Sequence, residues 1–212
     1  MGYFKKISFN NFRNFIKFSL DFTSGSNIIV GKNGSGKTNI LEGISLFEKG
    51  RGFRKEKICN LINFSNTNIG FGITSIFENK DIDFNLKIFN SEKNIKKIII
   101  NDNLDKDFIK NFESILSTIH FLPEMERMFV ASPSFRRNFL DRLIFSSNKN
   151  YNSVINKYKK SINERQLLLK GKNYDESWIQ KLENNIVEDG LIIYKKRISH
   201  IEKINIIFKN IN

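Results

Sequence analysis

An α/β fold followed by an all-helical segment is what the sequence predicts, and three observations carry that reading. Apolar residues alternate with polar ones over residues 3–22 and again over 69–88, the period of strands with one buried face. Between these stretches, a short apolar run, a glycine-rich segment and a helical repeat follow one another over residues 27–49. Beyond Pro133 the apolar spacing becomes helical and stays so.

Each element follows from its own residues. Phe4, Ile7 and Phe9 mark a first strand leading into Asn11-Phe12-Arg13-Asn14-Phe15, and Ile16, Phe18, Leu20 and Phe22 mark a second. Thr23–Ser26 reads as a turn, and Asn27-Ile28-Ile29-Val30 as a short buried strand. Ile40, Leu41, Ile44 and Phe47 share one face of a helix over Asn39–Lys49. Ile69-Phe71-Ile73 and Ile82-Phe84-Leu86-Ile88 flank the polar turn Glu78–Asp81 as a hairpin, with Ile98–Ile100 as a further strand. Phe108 to Leu116 has helical spacing, and a strand is expected near Thr118–Leu122.

The two prolines, Pro123 and Pro133, bracket the change of period, which divides the chain into 1–122 and 123–212. Ser132 caps a helix with Pro133 in its first turn, and Phe135, Phe139, Leu140, Leu143 and Ile144 line one face. A second helix runs through Tyr151, Val154, Ile155, Tyr158 and Ile162 until Gly171 closes it. A third begins near Ser177 and carries Trp178, Leu182, Ile186 and Ile193. Such amphipathic helices pack on each other or on a partner.

Composition narrows the chemistry. With 212 residues, 40% hydrophobic and 27% charged, the chain has an ordinary globular balance. No apolar run approaches the ~20 residues of a membrane span, and the N-terminus lacks a secretory pattern. One cysteine, Cys59, excludes an internal disulfide, and with His120 and His200 as the only histidines a zinc cage has too few ligands. A reducing cytoplasm and no membrane partner are the expectation. The net charge of +13 favours a polyanionic partner, although it is spread over both halves and coincides with a composition rich in Asn, Ile and Phe.

Gly31-Lys32-Asn33-Gly34-Ser35-Gly36-Lys37-Thr38 fits G-x-x-x-x-G-K-[ST] at every fixed position. Its place between an apolar strand and a helix is the context that motif requires. The glycines turn the backbone so that successive N–H groups face phosphate oxygens, and the helix N-terminus adds its positive dipole end. The Lys37 ammonium reaches the outer phosphates, and the Thr38 hydroxyl is the expected Mg²⁺ ligand. ATP with Mg²⁺ is therefore the expected cofactor.

The neighbouring residues narrow the class. Lys5 to Phe15, then a strand and the phosphate loop, resemble the head of the structural-maintenance-of-chromosomes-type ATPases. Leu41-Glu42-Gly43-Ile44 followed by Gly50-Arg51-Gly52-Phe53-Arg54 is similar to the RecF family of bacterial recombination-repair proteins. So are Pro123-Glu124, Ala131-Ser132-Pro133 and Arg136-Arg137-Asn138-Phe139-Leu140-Asp141, with Phe129 where a smaller aliphatic residue is expected. The resemblance runs from residue 3 to about Lys170. It implies the N-terminal half of a P-loop ATPase head of the ABC/SMC type, with mixed and antiparallel strands, and then an incomplete helical arm.

The resemblance also implies roles. Arg13 is similar to an arginine that approaches the nucleotide, and Glu124 falls where related heads place a loop facing the metal. Arg136 and Arg137 stabilise the arm or touch DNA, and Arg51 and Arg54 beside Phe53 sense nucleotide or DNA. Single- and double-stranded DNA, an ATP-dependent homodimer and recombination mediator proteins are the implied partners. Gap repair, replication and the SOS response are the implied processes. No residue is assigned to DNA by the sequence.

Two elements of such an ATPase are missing from the sequence. No acidic pair follows an apolar strand: Ile100-Asn101-Asp102 belongs to the hairpin sheet, and Asp141 and Glu188-Asp189 sit in helical patterns. No Leu-Ser-Gly-Gly-like stretch occurs. The reading is a RecF-like chain stopping inside its arm, binding nucleotide weakly, not turning it over, and exposing an unpaired sheet edge. A transporter-type ATPase subunit, a non-catalytic nucleotide-binding remnant and a small-molecule kinase are the alternatives.

Overall fold

The computed structural model describes residues 2–210 apart from 49, 91–94, 106, 107, 110, 111, 113, 114, 117, 124, 126–129, 131, 149 and 172–174. The chain divides into two units, Met1–Thr118 and Ile119–Asn212.

In the first unit, alternation produces a five-stranded sheet. Strands β1 (Tyr3–Phe12), β2 (Phe15–Asp21), β3 (Gly72–Asn79), β4 (Ile82–Asn90) and β5 (Lys96–Ile100) lie in the order β2-β1-β3-β4-β5. Every neighbouring pair is antiparallel. Ile7 and Phe9 of β1, Ile73 and Phe77 of β3, Leu86 and Ile88 of β4 and Ile100 of β5 point to one side and form the core. Helix α1 (Lys37–Ser45) packs on that side. Gly43 makes the contact close: a Cβ there would lie 2.3 Å from the Phe9 ring. The Phe9 ring stacks on Phe12 and meets Phe15 at a tilt, and Phe15 stacks on Phe18, near the β1–β2 turn.

The expected strand at Asn27–Val30 is not formed. Ile28 is 86% and Val30 84% exposed, and only Ile29 packs against the core. A strand needs a ladder partner, and among the described residues none pairs with this run. The Asn27 side chain is tied into the preceding turn, accepting from Thr23 N and donating to the carbonyls of Thr23 and Gly25. No strand forms among the described residues of 118–122 either. Of the helix expected over 108–116, Phe108, Ile109 and Phe112 are helical, whereas Ile115 and Leu116 are described and are not. Glu124, Phe129 and Ala131 lie outside the described residues.

The second unit is helical: α2 (Pro133–Ser147), α3 (Tyr151–Lys170) and α4 (Glu176–Lys209). Ser132 caps α2 by accepting from Phe135 N, with Pro133 in the first turn. Asp175 caps α4, taking the amides of Ser177 and Trp178. Gly171 follows the last residue of α3 in an extended conformation.

An ionic knot joins the three helices. Asp141 of α2 accepts two hydrogen bonds from the Arg197 guanidinium of α4, each 2.8 Å, and one from the Tyr151 hydroxyl of α3 at 2.7 Å. Tyr151 is 2% exposed. Burial, reinforced by the bond to Asp141, pushes its hydroxyl well above the ordinary tyrosine value.

Two outcomes follow for the helical unit. Asp141→Asn removes the charge shared by both partners and lowers stability by about 2 kcal/mol, read from urea unfolding followed by helical circular dichroism. Because the folded state holds the Tyr151 proton more tightly, this contribution is complete below the ordinary tyrosine pKa near 10. It is lost as pH rises toward the raised value. Ultraviolet titration should show one of the five tyrosines ionising only above the others.

Candidate functional site

Residues 31–35 form an exposed loop that enters α1 through buried Gly36 and half-buried Lys37. Two of its glycines hold left-handed conformations, Gly34 at φ 82° and Gly36 at φ 99°. At Gly36 the second reason is space. A Cβ would lie 2.5 Å from the Phe15 ring and 2.7 Å from the Asn14 side-chain oxygen, so the β1–β2 turn seats directly against the loop. The Gly36 carbonyl begins the helix by accepting from Asn39 N at 2.8 Å and Ile40 N at 3.0 Å.

That geometry leaves donors without acceptors. Among the described residues, no acceptor faces the main-chain N–H groups of Gly36, Lys37 and Thr38. No acidic residue stands in the first turn, and no side chain caps it. Lys37 Nζ lies over the loop, donating to the carbonyls of Gly31 at 2.6 Å and Lys32 at 2.8 Å. Unpaired amides, a helix N-terminus and an ammonium meet at the end of this loop, which is the chemistry of a phosphate cradle. The residues therefore fit a nucleoside triphosphate. Thr38 is exposed, so its hydroxyl is open to a metal held jointly with phosphate oxygens. No group of three or more His, Cys, Asp or Glu among the described residues is placed to bind a metal by itself.

Behind the cradle lies an interaction that sequence reasoning missed. Glu42, on the second turn of α1, is completely buried. Arg13, in the β1–β2 turn at φ 53°, grips it with Nε to Oε2 at 2.9 Å and a terminal nitrogen to Oε1 at 2.7 Å. A further Arg13 nitrogen donates to the Asn60 carbonyl. Arg54 reaches the same carboxylate at 3.2 Å and the Asn39 side chain at 3.1 Å, with its guanidinium 5.9 Å from the Phe53 ring centre. Asn39 in turn donates to Asn14. The resemblance paired Arg13 with the nucleotide; the structure places its guanidinium on Glu42, one turn behind the loop. The available signal was a lone carboxylate between the apolar residues Leu41 and Ile44, with arginines flanking the loop on both sides.

Other expected residues are dispersed. Arg51 is exposed in the loop that ends at Arg54. Arg136 and Arg137 are exposed on α2, in the second unit. Asp102 sits in the left-handed turn after β5, and Asp141 and Glu188 are helical.

Comparison with known proteins agrees with this geometry. Residues 3–129 match the RecF/RecN/SMC N terminal domain. The DNA replication and repair protein RecF of Rickettsia typhi is 31% identical over 197 residues, covering 92% of this chain and 53% of the relative. Two solved structures of the recombination mediator protein RecF in the RecFOR pathway, RecF-ATPrS and RecF-ATP, superpose with TM-scores of 0.82 and 0.77. They are 30% and 31% identical, and each comparison covers 95% of this chain and 55% of the other. The chain spans about half the length of the relatives it matches.

Glu42→Gln leaves Arg13 facing a neutral amide in a buried place. The expected cost is about 3 kcal/mol, with part recovered in the double variant that also carries Arg13→Gln. Equilibrium unfolding in urea of Glu42→Gln, Arg13→Gln and the double variant checks this; additive losses would show that the two side chains are not coupled.

Proposed function

This chain belongs to the RecF/RecN/SMC family and matches its RecF proteins, and from that footing we propose that it is the ATP-binding portion of a DNA repair and replication ATPase. The observation that carries the reading is the set of unpaired amides of Gly36, Lys37 and Thr38 beneath the Lys37 ammonium. Gly31, Lys32, Asn33, Gly34, Ser35 and Gly36 wrap the triphosphate in main-chain amides. Lys37 leaves its two loop carbonyls to take the outer phosphates, and Thr38 holds Mg²⁺, which neutralises phosphate charge when bound. Arg13 acts from behind the loop by keeping the Glu42 carboxylate neutralised, so that no uncompensated anion stands behind the site.

Turnover needs a carboxylate to place water or metal. Glu42, which follows the loop, has both oxygens taken by guanidinium groups. Residues 1–212 therefore bind nucleotide without turning it over. In the working protein, ATP joins two heads, the assembly binds single- and double-stranded DNA at gaps in the cytoplasm, and recombination mediators act with it in repair and the SOS response. The solved relatives, RecF-ATP and RecF-ATPrS of the RecFOR pathway, support this reading.

Calorimetry of the 212-residue chain with MgATP tests the proposal. Saturable heat is expected, reduced about 10- to 100-fold in affinity by Lys37→Ala, the loss of a hydrogen bond to a charged group. Absence of heat from folded, monodisperse protein contradicts it. Steady-state hydrolysis that disappears with Lys37→Ala contradicts the claim of binding without turnover.

A further inference from the structure

The side of the sheet away from α1 sorts its charges. Strand register places the outward residues in ranks that run across all five strands. One rank is Lys17, Asn10, Gly72, Phe89 and Lys97; the next is Ser19, Ser8, Thr74, Lys87 and Ile99. These two adjacent ranks hold three lysines, three hydroxyls and an amide, and no acid. Acids begin beyond these two ranks, with Asp21 opposite Lys6 in the third and Asp102 in the turn after β5. At the β3–β4 hairpin end, Glu78 and Asp83 are both bonded to Lys5, at 2.8 and 2.9 Å.

Lys17, Lys87 and Lys97 are exposed, and none of them makes an ion pair among the described residues. Gly72 has no side chain to interrupt the first rank. A shallow hollow of about 450 Å³ opens over the neighbouring strands, lined by Lys6, Ser8, Thr74, Asn85, Lys87 and Asp102. An ordinary solvated sheet face mixes its charges, as the hairpin end of this one does. Two whole ranks without an acid, spanning from edge strand to edge strand, form a surface complementary to a polyanion.

We infer that this outer sheet face, through Lys17, Lys87 and Lys97, is a docking surface for the phosphate backbone of duplex DNA. The inference rests on the DNA-binding reading above and names where on this chain the DNA is met. Lys17 on β2 and Lys97 on β5 are four strand spacings apart, about 19 Å, so they engage well-separated phosphates of one rigid partner. Ser8, Ser19, Thr74 and Asn10 supply neutral donors between them, the residue types that accompany lysine on phosphates. Single strands are held largely by stacking on aromatic platforms, and these ranks offer only Phe89, half-buried. A duplex backbone needs no such platform.

The test uses the whole 212-residue chain and a fluorescent 30-base-pair duplex, with anisotropy read over a salt series. The variant carries Lys17→Gln, Lys87→Gln and Lys97→Gln. A control of equal charge change carries Lys195→Gln, Lys196→Gln and Lys203→Gln on exposed α4 positions. The face variant should lose at least tenfold in affinity at low salt. Its slope of log affinity against log salt should fall by about 2 to 3, near 0.9 for each phosphate no longer neutralised. The control should keep most of the wild-type slope. Melting temperature and MgATP heat report that both variants are folded.

If wild type binds the duplex and the face variant matches the control, the sheet-face inference is overturned and the DNA reading stands. If wild type takes MgATP but no duplex at any salt, the DNA reading falls, and this inference with it. If a single strand of the same length binds more tightly than the duplex and is released in the face variant, the surface is real and its assigned occupant is wrong.

Discussion

A carboxylate with no exposure to water has to be answered by opposite charge, and Glu42 is answered by Arg13 with two hydrogen bonds and by Arg54 with one. That demand holds three separate stretches of chain together: the β1–β2 turn, the first helix and the loop ending at Arg54. The turn matters most. It carries Asn14 and Phe15, which press on Gly36 and fix where the phosphate loop ends and the helix begins. Unpairing the carboxylate would loosen the wall against which the loop is built, and an uncompensated buried anion would stand behind a site meant for phosphates.

The loop itself works through what it leaves unmade. Regular hydrogen bonding starts only with the amides of Asn39 and Ile40, so the preceding donors stay open at the positive end of the helix. Left-handed glycines make that arrangement sterically possible, while Lys37 rests on loop carbonyls that a more strongly charged acceptor displaces. Anion binding then draws on groups already in position, and little ordering cost remains when the ligand arrives.

What the sequence made legible was periodic. Alternation located β1 to β4, the run Ile98–Ile100 located β5, and the glycine-lysine-threonine spacing located the loop. Ser132 with Pro133 located the start of α2. Misreadings arose where the outcome depends on a partner rather than on the residue itself. Asn27–Val30 has the composition of a buried strand, yet composition does not reveal whether another strand lies beside it. Glu42 entered only as part of the stretch that resembles the family, and its burial was not legible because its partners stand 29 and 12 residues away in the chain. The knot of Asp141, Tyr151 and Arg197 was hidden for the same reason, with Arg197 lying 56 residues from the carboxylate it grips.

Hydrogen exchange of the backbone amides, followed with and without MgATP, reads the central claim most directly. Slowed exchange confined to residues 34–39, and requiring more MgATP in Lys37→Ala, is the result expected if main-chain donors at the head of α1 take the phosphates. Unchanged exchange there in a protein that still binds nucleotide would mean that the ligand sits elsewhere, and the account of this site would be wrong.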